Sequence, residues 1–151
     1  MNTVPTGKLT THVLDTAAGR PAAGMTIELW QIEVLPIEVL PIEALPITEP
    51  ATQQTTIQQT AAQHMATQVT NADGRTDSPF LRADSMVAGI YELRFSAGDY
   101  FAKNFVGTEV ALPNPPFLDW VPIRFGMADP HAHYHVPLLV SPWSYSTYRG
   151  S

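Results

Sequence analysis

Apolar and polar residues alternate with a period of two in one segment after another, and no segment holds apolar residues at helical spacing for three turns. A chain built this way buries one face of each strand, so the fold is expected to be mainly β. In Leu9-Thr-Thr-His-Val-Leu-Asp15 the pleat sets Leu9, Thr11 and Val13 on one face and Thr10, His12 and Leu14 on the other. The small-residue stretch Thr16 to Gly24 then reads as a hairpin or tight connection into a second strand, Met25 to Ile32. Strand character returns at Gln63 to Thr70 and closes on the turn signal Asn71-Ala-Asp-Gly74, with Arg75 directly after it. Ala88 to Ser96 alternates Ile90, Glu92 and Arg94 against Tyr91, Leu93 and Phe95. Ala97 to Asn104 suits one short helix. Further strands are expected at Trp120 to Gly126, His131 to Val140 and Tyr145 to Ser151, after a proline-rich connection over Leu112 to Pro116. Seven or eight short strands in this order predict a β-sandwich.

A length of 151 residues with 44% hydrophobic composition predicts one domain spanning 1–151. The opening residues lack the charged-then-apolar pattern of a secretory signal, and glutamate or proline interrupts every apolar run short of a membrane span. With no cysteine, disulfides, thiolate nucleophiles and Cys-ligated zinc are excluded, which suits the cytoplasm. The formal net charge is −6 and the eight Lys and Arg residues are scattered, so nucleic acid is not an expected partner. One stretch departs from this plan. Ile32-Glu-Val-Leu-Pro36, Ile37-Glu-Val-Leu-Pro41 and Ile42-Glu-Ala-Leu-Pro46 form a tandem pentapeptide repeat, followed by the uncharged, low-complexity Ala51 to Ala62. Proline at every fifth position removes backbone donors, and an odd period turns each apolar side chain to the opposite face in the next copy. About 34–62 is therefore expected to be a loop insertion, either a partner-binding arm or an expanded repeat carried at the surface.

Five positions invite a chemical reading. His131, His133 and His135 share one face of a strand whose other face carries Tyr134, Val136, Leu138 and Val140. Imidazoles spaced two apart can converge on a metal ion, perform acid–base chemistry near neutral pH, or form a solvated polar face. Spacing leaves all three open. Arg75 is the first cation after Arg20, and on the shoulder of a turn its guanidinium could hold a planar, oxygen-rich anion or simply face solvent. His12 is a lone histidine within a strand.

The tail, His133-Tyr-His-Val-Pro-Leu-Leu-Val-Ser-Pro-Trp-Ser-Tyr-Ser-Thr-Tyr-Arg-Gly-Ser151, resembles the C-terminus of the transthyretin-like hydroxyisourate hydrolases, including their terminal Tyr-Arg-Gly-Ser signature. The start, Leu9 to Ala23, is similar to that family's first strand and turn, and Asn71-Ala-Asp-Gly-Arg-Thr76 to its arginine-bearing turn. Tyr91 to Phe95 and Gly98-Asp-Tyr-Phe101 resemble it in the middle, so the likeness covers nearly everything but the repeat.

The resemblance implies a sandwich of two four-stranded sheets with one short helix, assembled as a homotetramer with active sites at the dimer–dimer interface. It implies hydrolysis of 5-hydroxyisourate in urate breakdown, with no metal and no cofactor. Carried over by position, His12, Arg75, His135 and Ser151 are the catalytic set. Tyr148, Arg149, Gly150 and His133 are the substrate-binding or supporting residues, and His131 falls outside the motif. Two imidazoles would divide the work of activating water and moving a proton, and Arg75 would hold the ring or its oxyanion. The alternative is a non-catalytic small-ligand carrier on the same sandwich, since one fold hosts many functions.

Overall fold

The computed structural model describes residues 6–35, 59–105 and 111–150. Eleven strands and one helix follow in the order β1 (Lys8–Thr10), β2 (Val13–Asp15), β3 (Arg20–Pro21), β4 (Thr26–Leu35), β5 (Gln59–Val69), β6 (Leu81–Arg82), β7 (Gly89–Ser96), α1 (Ala97–Asn104), β8 (Trp120–Met127), β9 (His133–His135), β10 (Leu138–Val140) and β11 (Tyr145–Thr147). A 3-10 turn occupies Ala83–Ser85. The helix among these elements is too short to cross a membrane, and no described helix is long and apolar enough to do so.

Two β layers enclose the core. The first is a four-stranded antiparallel sheet in the order β5-β4-β7-β8. The second is built from two ladders, β6-β1-β9 and β11-β10-β2-β3, that form one continuous layer. They are continuous because β1 and β2 run parallel to β9 and β10 in a single register: Thr10 lies beside His135 and Val13 beside Leu138. Taken together, residues 8–15 and 133–140 act as two central strands, flanked by β11 on one side and by β3 and β6 on the other. Among the described residues that gives the two four-stranded layers and one short helix that the resemblance implies.

Alternation decides what each strand buries. Leu9, Val13, Leu138 and Val140 from the second layer meet Ile27, Leu29, Leu93 and Phe95 from the first, all fully buried. Removing a side chain of this size from water contributes about 1.5–3 kcal/mol, so these pairings define the register as well as the stability. Helix α1 packs Tyr100 and Phe101 against the same core. Its Tyr100 hydroxyl donates to Oδ2 of the buried Asp15 at 3.0 Å, while Oδ1 of Asp15 accepts from the backbone N–H groups of Ala17 and Ala18. Burial, and then the Asp15 carboxylate, push the Tyr100 phenol up to about 12. One acid thus pins the turn after β2 to the helix across the core.

The structure refines several sequence expectations. The stretch from Thr16 to Gly24, expected as a hairpin or tight connection, first folds β3 back antiparallel on β2 and then carries the chain across to the first layer. The strand expected at His131 to Val140 is broken into β9 and β10, because Pro137 has no N–H for the ladder and the His131 N–H is taken by the Asp129 side chain at 2.8 Å. The β4–β5 ladder runs out to Leu35 paired with Gln59, so both ends of the stretch expected as a loop at 34–62 belong to an antiparallel hairpin. The remainder of the pentapeptide repeat lies outside the described residues. Glu92, on the outer face of the first sheet, is nevertheless buried, held by Arg94 at 2.7 Å and Arg124 at 3.0 Å. Burial pulls its carboxyl up, but the hydrogen bonds and charges of the two arginines outweigh this and hold it below its ordinary value.

Removing the Tyr100 hydroxyl leaves one oxygen of a buried carboxylate without its donor. Tyr100→Phe is therefore expected to cost about 1–3 kcal/mol at neutral pH, read as a lower midpoint with unchanged slope in urea denaturation.

Candidate active site

The outer face of the second layer is where the chemistry collects. Because Leu9, Thr11, Val13, Tyr134, Val136 and Leu138 turn inward, Lys8, Thr10, His12, His133 and His135 turn outward. Parallel pairing places Thr10 directly beside His135, and the backbone confirms it: Val136 N–H donates to the Thr10 carbonyl at 3.0 Å and Leu138 N–H to the His12 carbonyl at 2.9 Å. The buried Thr11 hydroxyl donates to the Val136 carbonyl at 2.7 Å, tying the two strands where the ladder is interrupted.

Two glycines bring the flanking segments in. On one side, Arg75 forms an antiparallel bridge with His12. The Asn71 side chain accepts from Asp73 N–H and Arg75 N–H, and the turn closes through Gly74 at φ 71°. A Cβ at Gly74 would lie 2.4 Å from the Val13 carbonyl oxygen, so this approach requires glycine on both counts. On the other side, Gly150 N–H donates to the His135 carbonyl at 2.8 Å. A Cβ there would lie 2.6 Å from Cδ2 of the His135 ring. Across the layer the order is Gly150, His135, the strand bearing Thr10 and His12, then Arg75.

A cleft of about 510 Å3 opens over this row, lined among others by Lys8, Thr10, Arg75, Asp77, His135 and Tyr148. The Thr10 hydroxyl is 2.9 Å from Nδ1 of His135. Burial, then the charges of Arg75 and His12, hold the His135 imidazole below its ordinary value, so it is neutral at pH 7. A neutral imidazole beside a permanent cation can take a proton from water and stabilise an oxyanion in the same space.

Of the residues singled out in the sequence, Arg75, His135, Tyr148 and Gly150 line this cleft. His12 is outside its lining but is bridged to Arg75 and acts electrostatically on His135. His133 is exposed on the same face and does not line it. Arg149 turns away, its guanidinium 5.0 Å over the Tyr134 ring beside a separate recess with Phe125. Ser151 lies outside the described residues. His131 is exposed in the turn before β9, and among the described residues no group of three or more His, Cys, Asp or Glu is placed to hold a metal. Lys8 and Thr10 are additions; their signal was the alternation that puts them on the face of His12. Asp77, in the loop after Arg75, had no such signal.

Residues 9–150 match the HIUase/Transthyretin family. The chain belongs to this family. The 5-hydroxyisourate hydrolase of Ralstonia nicotianae is 47% identical over 145 residues, covering 96% of this chain and 99% of that protein. Among solved structures, the 5-hydroxyisourate hydrolase of Klebsiella pneumoniae superposes with a TM-score of 0.62 at 28% identity, covering 96% of this chain and 99% of that one. An (S)-allantoin synthase superposes with a TM-score of 0.73 at 39% identity, covering 98% of this chain but 45% of the longer one. In this member of the HIUase/Transthyretin family, the cleft sits on the second layer over β1 and β9.

The position of Arg75 has a measurable electrostatic consequence. Its positive charge disfavours the imidazolium, so in Arg75→Gln the His135 midpoint should rise, yet stay below the ordinary imidazole value because burial persists. An NMR titration of the histidine side chains reads this directly, and an unmoved midpoint would mean that the two groups do not share a cleft.

Proposed function

We propose that this chain hydrolyses 5-hydroxyisourate to 2-oxo-4-hydroxy-4-carboxy-5-ureidoimidazoline in urate breakdown. The observation that carries the reading is His135 lining a polar cleft beside Arg75, in a chain whose relatives are named 5-hydroxyisourate hydrolases. A planar, oxygen-rich ring suits a recess with a guanidinium at one wall and the Tyr148 ring at another.

In the proposed reaction His135 takes a proton from water as its oxygen bonds to the ring carbonyl carbon, and Arg75 stabilises the oxyanion. Preorganised stabilisation of this kind contributes on the order of 3 kcal/mol. The carbon–nitrogen bond of the ring then breaks, and the imidazolium returns the proton to the departing nitrogen. His12 helps to orient water or substrate from its place beside Arg75. Ser151 adds a hydroxyl in this reading, whereas His133 and Arg149 support the strand and tail. Only side chains and water take part.

The assembly that goes with this reading is a homotetramer in which two subunits complete each cleft at the dimer–dimer interface. It is supported by where the cleft lies, on an outer sheet face that also leaves Tyr145 and Tyr148 exposed.

Generating 5-hydroxyisourate with urate oxidase and following its ultraviolet decay tests the activity. Faster decay with the protein is expected; saturable binding without faster decay would instead mark a ligand carrier. His135→Ala and Arg75→Ala should each lose about 100-fold or more in kcat/KM while remaining folded. Gly150→Ala forces the His135 ring aside and should lose on the order of 100-fold in kcat, since a 1 Å misplacement of a reacting group has effects of that size. Wild-type kinetics in that variant would detach Gly150 from the site.

A further inference from the structure

Within the reading of His135 as the base, the hydrogen bond between Thr10 and its ring has a role of its own. A neutral imidazole carries its proton on one nitrogen, and only the other can accept a proton from water. Which nitrogen that is depends on what the ring touches. Here the Thr10 hydroxyl lies 2.9 Å from Nδ1, and among the described residues it is the hydrogen-bond partner of that ring. Nε2, at the far end of the ring, is the nitrogen left for the cleft that His135 lines.

The position is set by backbone on both flanks. Thr10 is the register partner of His135 in the parallel ladder, so the two side chains stand next to each other on one sheet face. Gly150 closes the opposite flank, where even a methyl group would meet Cδ2. The ring is held between a hydroxyl on its Nδ1 edge and bare backbone on its Cδ2 edge. Valine is close in shape to threonine and would fill the same space, but it offers no hydrogen bond.

A hydroxyl can donate or accept, so the surrounding charges choose. If Thr10 donated to Nδ1, Nε2 would carry its proton into a cleft already occupied by the Arg75 guanidinium. Two donors would then face the same space with no lone pair to receive a proton. If Nδ1–H donates to the Thr10 oxygen, the Nε2 lone pair faces the positive charge, which is the electrostatically favoured arrangement. We infer that Thr10 is a positioning residue that holds His135 as its Nδ1–H tautomer and thereby leaves Nε2 bare to accept a proton from water. The partner that fixes the base is thus a neutral hydroxyl on the neighbouring strand, where a carboxylate or carbonyl is the more common device.

Full-length wild type, Thr10→Val and Thr10→Ser test this by two readouts. Nitrogen-15 NMR of the histidine side chains should show Nδ1 protonated and Nε2 bare in wild type and Thr10→Ser, and a mixture of tautomers in Thr10→Val. In kinetics with 5-hydroxyisourate, Thr10→Val should lose about tenfold in kcat with KM nearly unchanged, the size expected for one hydrogen bond, and Thr10→Ser should restore most of it. A wild-type Nε2–H tautomer would overturn the inference. So would an unchanged tautomer and kcat in Thr10→Val, or equal losses in Val and Ser, which would make Thr10 a matter of shape. If wild type showed no turnover at all, the proposed reaction would fail, and the NMR result would still decide whether Thr10 selects the tautomer.

Discussion

The parallel pairing of residues 8–15 with residues 133–140 is the constraint from which everything else in this molecule follows. The two segments lie 125 residues apart, and parallel neighbours need the whole intervening chain to close around them. The loop entropy is offset only when the apolar residues of both segments reach the core together. The pleat then leaves no freedom on the other face. A slip of one residue would drive His135 into the core and bring Tyr134 out into the cleft, so the same burial that stabilises the sandwich also aligns its imidazoles.

Against this frame the two outer sheet faces are handled oppositely. On the first sheet Glu92 bridges Arg94 and Arg124, and Arg94 lies 4.2 Å over the Trp30 ring. On the second layer Arg75, among the described residues, has no carboxylate within ion-pair distance. It spends its charge on His135 instead. A cation kept out of an ion pair can meet charge that develops during a reaction, whereas one locked to an acid serves the fold. Gly74 and Gly150 let backbone approach where any side chain would collide, one behind Arg75 and one beside the His135 ring.

Much of this was legible in the residues. The alternation in Leu9 to Asp15 assigned His12 and Thr10 to one face, and burial agrees with that assignment. The short helix at Ala97–Asn104 has the bounds its composition suggested. The triple histidine run was partly misleading. Its three members share a face by spacing, yet only His135 reaches the cleft, because β9 starts at His133 and the cleft opens toward Arg75. The tail motif was informative as a unit but did not disclose that Arg149 leaves the cleft for a second recess, which Tyr148 lines as well.

The sequence by itself determined the class of fold and the face on which each strand residue lies, because the two-residue period of an extended chain is a local property of the backbone. Only the tertiary structure decided that Thr10 stands beside His135 and Arg75 beside His12, since the choice and register of strand partners come from burying distant apolar residues in one core. No local pattern records that choice. The chemistry therefore rests on residues that the sequence can nominate one by one but that only the closed sandwich brings into reach of each other.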